Sequence, residues 1–75
     1  MPNVLLDVKG LNCPLPILKA KKAIRNVEEN GILEVLATDP GAEKDFLAFC
    51  DMGNYELLVN ECSNGVFRFL IKKIT

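Results

Sequence analysis

Two prolines one residue apart constrain this chain more than any other feature. They lie in Gly10-Leu11-Asn12-Cys13-Pro14-Leu15-Pro16, between an apolar run, Val4 to Val8, and an amphipathic run, Ile17 to Val27. Neither proline donates a backbone hydrogen bond, which is harmless only in the first turn of a helix, where the N–H groups have no intrahelical partner. The spacing therefore predicts a strand, a short turn opened by Gly10, and a helix whose first residue is Pro14. Cys13 would then be the N-cap. Its sulfur would face the free N–H groups of Leu15 and Ile17 and the positive end of the helix dipole, a setting that favours a thiolate.

Magnitudes qualify that expectation. A free cysteine titrates near ~8.5, so half ionisation at neutral pH needs about 2 kcal/mol. An exposed helix terminus supplies roughly 0.3–1 kcal/mol. Direct N–H bonds to sulfur, or a cation such as Lys9 or Lys19, would have to supply the rest. The competing reading takes Cys13 as a small apolar core residue.

The remaining elements follow from periodicity. Val4–Val8 reads as a strand with Val4, Leu6 and Val8 on one face, and Asp7 as a local turn acceptor. A helix from Pro14 to Glu29 carries the stripe Ile17, Ala20, Ile24, Val27 and ends at Asn30-Gly31, with Gly31 left-handed. Ile32–Thr38 is a second strand, with Leu33, Val35 and Ala37 on one face. Asp39 caps a second helix that starts at Pro40 and runs to Met52, with Ala42, Phe46, Phe49 and Cys50 inward. Tyr55–Cys62 and Val66–Lys73 form a hairpin around Asn64-Gly65. Ile32, Leu36, Leu58 and Leu70 are expected on a solvent-facing sheet surface among Glu34, Asn60, Arg68 and Lys72, and Cys62 beside Leu58 and Asn60. If those apolar residues are contiguous, that face is a candidate for dimerisation or partner contact.

The order is βαβαββ. Right-handed crossovers put both helices on one sheet face. The aromatic fourth strand belongs inside the sheet. The expected architecture is an α+β two-layer sandwich, a four-stranded mixed sheet in the order 1-2-4-3, with residues 1–75 forming one domain. The hydrophobic share of 49% supports a folded globule.

The same composition narrows the chemistry. A net charge of −1 argues against general nucleic-acid binding. With no histidine, Cys–His nucleophilic catalysis is excluded within the chain. Three cysteines without a Cys-x-x-Cys pair fit a reducing compartment rather than a disulfide framework, and no structural zinc site is expected. Met1-Pro2-Asn3 leads directly into a strand, no apolar run is long enough to span a bilayer, and the expected location is cytoplasmic.

The Cys13-Pro14-x-Pro16 motif, preceded by Leu6-Asp7 and Gly10-Leu11, resembles the signature of the TusA/SirA-like sulfur-carrier proteins. The resemblance extends through Thr38-Asp39-Pro40 and Phe49-Cys50 to Phe69-Leu70-Ile71. It implies the same two-layer sandwich and a sulfurtransferase-type persulfide carrier; thiol exchange needs no metal or cofactor, and the chain is expected to be a monomer when alone. Cys13 would take sulfane sulfur from a cysteine desulfurase or a rhodanese and pass it to a DsrE-like sulfur-relay protein. The residues alone indicate a poised thiol, with Gly10, Pro14 and Pro16 shaping its platform and Lys19 and Lys22 as a docking surface for an acidic partner. Two other readings stay open. One is a non-catalytic regulatory or nucleic-acid-binding domain using the basic face of the first helix. The other is a thiol redox protein in which Cys50 or Cys62 resolves Cys13.

Overall fold

The computed structural model describes residues 4–74, so Met1, Pro2, Asn3 and Thr75, and the expected run of Met1–Asn3 into the first strand, lie outside the described residues. Four strands and two helices alternate as expected: β1 (Val4–Val8), α1 (Leu15–Ile24), β2 (Ile32–Ala37), α2 (Ala42–Cys50), β3 (Tyr55–Ser63) and β4 (Val66–Lys73). The sheet order is β1-β2-β4-β3. β1 runs parallel to β2, with Val4 opposite Leu33 and Val8 opposite Ala37. β4 lies antiparallel to both of its neighbours. Among the described residues, no helix is long and apolar enough to cross a membrane.

The inward faces of the strands meet the apolar stripes of both helices in one core. Val8, Ala20, Ile24, Val27, Leu33, Val35, Ala37, Phe46, Phe49, Phe69 and Ile71 are buried there, while Leu5, on the opposite face of β1, is 61% exposed. Phe46 stacks on Phe69 at 4.8 Å between ring centres and meets Phe49 edge-on at 6.4 Å. Phe49 in turn stacks on Tyr55 at 4.6 Å. These ring contacts tie α2 to the two strands that form the hairpin. Asn64 and Gly65 both adopt positive φ, as a two-residue turn with the sheet's own twist requires.

Several boundaries differ from the sequence reading. α1 stops at Ile24 rather than Glu29. Beyond it, the N–H groups of Asn26 and Val27 bond back three residues, to Ala23 and Ile24. The turn tightens there, which keeps Val27 in the core without prolonging the helix. The left-handed residue that follows is Asn30, at φ 67°, rather than Gly31. Asn30 donates to the Lys73 carbonyl and Lys73 donates back to the Gly31 carbonyl, so sheet pairing fixes this corner. In α2 the N-cap is Gly41, not Asp39, and the helix begins at Ala42 rather than Pro40. The Asp39 carbonyl accepts from the Ala42 N–H, forming a lead-in turn.

The largest difference is in β3. Leu57 lies opposite Ile71 and Val59 opposite Leu70, so Leu58 is an extra residue. Such a bulge reverses which face every later side chain takes. Asn60 and Cys62 therefore pair with Phe69 and Phe67 on the helix side instead of lying on the outer face. Asn60 Nδ2 donates to Glu43 Oε2 of α2 at 3.0 Å. On the outer face, Arg68 Nε donates to Glu34 Oε2 at 2.7 Å, and Arg68 Nη1 lies 3.9 Å from Glu61 Oε2.

Candidate active site around Cys13

Parallel β1 and β2 bring their following loops to the same edge of the sheet, and the site lies there. The loop after β1 is held by three bonds. The Leu11 N–H donates to the Val8 carbonyl. The Lys9 N–H donates to Asp7 Oδ1, the turn-acceptor role expected of Asp7. Gly10, at φ 84°, donates its N–H to Thr38 Oγ1 at the end of β2. At that φ a side chain is strained, so glycine serves the turn.

Cys13 is exposed and lies one residue before the helix cap, which is Pro14. The Cys13–Pro14 peptide is cis. The expected N-cap position of Cys13 is thus corrected. The reason is local: the Asn12 carbonyl takes the Leu15 N–H at 2.9 Å, closing a turn around Cys13 and removing a donor expected to face the sulfur. Pro16 occupies the first turn of α1 and is buried.

The electrostatics are opposite to the expectation as well. Cys13 Sγ and carboxylate oxygens of Asp39 and Asp45 lie within 4.8 Å of one another. A hydrogen bond to Asp45 first, then desolvation and the negative charges of Asp45 and Asp39, hold the Cys13 thiol above its ordinary value of 9.0. Lys9, a cation expected to assist the thiolate, instead lies 3.8 Å from Asp7. These neighbours favour the protonated thiol over the thiolate. The Asp45→Asn variant, assayed at neutral pH in chelator-containing buffer, is expected to alkylate Cys13 a few-fold faster than wild type. An unchanged or slower rate would show that Asp45 does not restrain the thiol.

Cys13 opens onto a depression of about 260 Å³ between the helices, lined by Pro14, Ile17, Lys21, Asp45, Phe49 and Met52 among others. A second depression shares Lys21, Phe49 and Met52 and extends to Arg25 and Tyr55. Lys19 and Lys22 are exposed but line neither. The basic residue beside Cys13 is Lys21. The sequence reading missed Asp39, Asp45, Lys21 and Met52 as neighbours of Cys13. The parallel crossover was the available signal for the acids, because it puts the start of α2 beside the start of α1.

The other thiols differ sharply. Cys62 is exposed at the hairpin end of β3. Cys50 is half-buried against the core, and burial pushes its thiol up to about 11. Between pH 9 and 11 the unfolded chain releases this proton while the folded chain keeps it, so stability present below pH 9 is lost as pH rises. Over that window the denaturation midpoint of wild type should fall more steeply than that of Cys50→Ala. Parallel slopes would remove burial as the cause.

A sulfurtransferase TusA family model matches residues 4–73. The chain belongs to the TusA sulfurtransferase family. The sulfur carrier protein TusA of Allochromatium vinosum is 52% identical over 68 residues, covering 91% of this chain and 90% of that protein. A TusA sulfur carrier of Pseudomonas putida is 39% identical over 72 residues, covering 96% and 90%. The crystal structure of a SirA-like protein from Desulfitobacterium hafniense superimposes with a TM-score of 0.80 at 26% identity, covering 96% of this chain and 99% of that one. TusA membership bears out both the sulfur-carrier resemblance and the two-layer architecture. Among the described residues of this TusA chain, Cys13, Asp39 and Asp45 are the group of three metal-ligating side chains drawn together.

Proposed function

We propose that this chain carries sulfane sulfur as a persulfide on Cys13. The observation that carries the reading is one exposed thiol at the mouth of an apolar depression, held on a loop fixed by Gly10, Asn12 and Pro16. The Cys13 thiolate attacks the terminal sulfur of a donor persulfide. The donor's S–S bond breaks, the donor leaves as a thiolate, and Cys13–S–SH remains. An acceptor thiolate then repeats the exchange on Cys13–S–SH and regenerates the Cys13 thiolate. Each step exchanges one S–S bond for another, so no external oxidant or reductant is consumed.

Asp45 gives this site a resting state. Its carboxylate accepts the thiol hydrogen, and two acidic groups nearby oppose ionisation. A partner that brings positive charge to Asp45 and Asp39 removes that opposition and frees the thiolate where transfer occurs. Donors that fit are a cysteine desulfurase or a rhodanese, and the fitting acceptor is a DsrE-like relay protein. These partner classes follow from the family resemblance. The apolar lining of Ile17, Phe49 and Met52, with Lys21 at the rim, suits a docked loop, and Lys19 and Lys22 extend the basic surface of α1.

The test is incubation with a cysteine desulfurase and cysteine without reductant, followed by peptide mass spectrometry. One added sulfur atom is expected on the peptide containing Cys13, removable by dithiothreitol, with Cys50 and Cys62 unmodified. Sulfur found only on Cys62, or on no cysteine with either a desulfurase or a rhodanese donor, would overturn the assignment.

A further inference from the structure

Asp39 is half-buried as a residue, but its carboxylate end is buried, and Oδ2 is sealed from solvent with no hydrogen-bond partner. A closed-off carboxylate oxygen without a donor is costly, and in native proteins such an atom calls for an explanation, an ion or an ordered water among them. The ion pairs among the described residues join Lys9 to Asp7 and Arg68 to Glu34 and Glu61, so neither Asp39 nor Asp45 has a cation of its own. Both carboxylates and Cys13 Sγ nevertheless converge within 4.8 Å.

We propose that Cys13, Asp39 and Asp45 form a binding site for a thiophilic divalent cation of the zinc class, and that the bound cation blocks sulfur loading. One thiolate with two carboxylates is a donor set for zinc rather than for magnesium or calcium, which take oxygen ligands alone. Bonds of about 2.3 Å to sulfur and about 2.0–2.2 Å to oxygen put tetrahedral ligands roughly 3.5 Å apart, so modest side-chain rotations close the site. The elements that supply the ligands differ: the loop before α1, the loop after β2, and the first turn of α2. Cys13 and Asp45 line the open depression, so water could complete the coordination from there. On binding, the metal–sulfur bond replaces the S–H bond and one proton leaves to solvent. The sulfur lone pair that would attack a persulfide is then engaged, so metal and sulfane sulfur compete for Cys13. The metal site does not depend on the carrier reading; only the competition does.

The experiment uses the full chain, reduced and stripped of metal with a chelator, titrated with zinc chloride by calorimetry. One equivalent is expected to bind, to protect Cys13 from iodoacetamide as read by peptide mass spectrometry, and to release it on addition of EDTA. Asp39→Asn and Asp45→Asn should each weaken binding by more than the roughly 10- to 100-fold that loss of a mere supporting residue costs, and Cys62→Ser should leave it unchanged. Asp45 lies on the helix surface, so its variant keeps the test decisive if Asp39→Asn misfolds by circular dichroism. Zinc affinity unchanged in folded Asp45→Asn, or Cys13 alkylated equally fast with and without zinc, would overturn the site. Sulfur loading measured in chelator tests the carrier reading separately: a site that binds zinc but never loads sulfur, or the reverse, separates the two.

Discussion

Cys13→Ser is expected to fold as wild type does and to gain no sulfur from any donor. The side chain is exposed, and the bonds that shape its loop run between backbone atoms of Asn12, Leu15, Val8 and Leu11. The sulfur contributes nothing to them. Surface changes of this kind shift stability by about 0.5 kcal/mol or less. The chemical loss is complete, because a serine hydroxyl is neither ionised at neutral pH nor able to form the S–S bond that holds the cargo. Thermal denaturation and intact mass spectrometry, run side by side on both proteins, read the two halves independently. Cys62 is the internal control, being an exposed thiol at the hairpin end of β3 that lines neither depression. Loading that persists in Cys13→Ser and disappears in Cys62→Ser would move the carrier role to β3.

Phe69→Ala should have the largest effect on stability. Phe69 is fully buried on the central strand β4, stacked on Phe46 at 4.8 Å and parallel to Phe67 at 6.1 Å. Truncating a buried phenylalanine costs about 3–5 kcal/mol. A chain of 75 residues has roughly 4–11 kcal/mol in total at typical stabilities per residue. The variant should therefore lose a large share of its stability, with a melting temperature lowered by at least ~12 °C. Leu5→Ala on the opposite face should change little. Urea denaturation of both variants ranks them, and equal midpoints would mean that the aromatic cluster is not the centre of the core.

How far the sequence led can be judged from these residues. The strand order was legible because β4 alone carries alternating phenylalanines, which need cover on both sides of the strand. The thiol was legible because two prolines admit few backbone paths. The bulge at Leu58 was not, because Leu57-Leu58-Val59 is an unbroken apolar run that fits either face of the sheet and so does not mark the extra residue. The extra residue becomes evident only from its pairing with Ile71 and Leu70. Asn60 and Cys62 were misassigned to the outer face for that single reason. Cys13 was expected to be acidified by its helix because its neighbours in sequence are the helix start and lysines. The groups that set its charge come from α2 and the loop before it, more than 25 positions away along the chain, and they act in the opposite direction.

The same bulge bears on what the exposed edges of the sheet offer to another chain. β1 and β3 are the two edges of the sheet, and β3, at nine residues, is the longer. A long flat edge strand is a template on which another chain can add its own strand and start an aggregate. One surplus residue at Leu58 bends that edge and breaks its even row of peptide donors and acceptors. The edge is thus blunted within the backbone itself, which disfavours strand addition along β3.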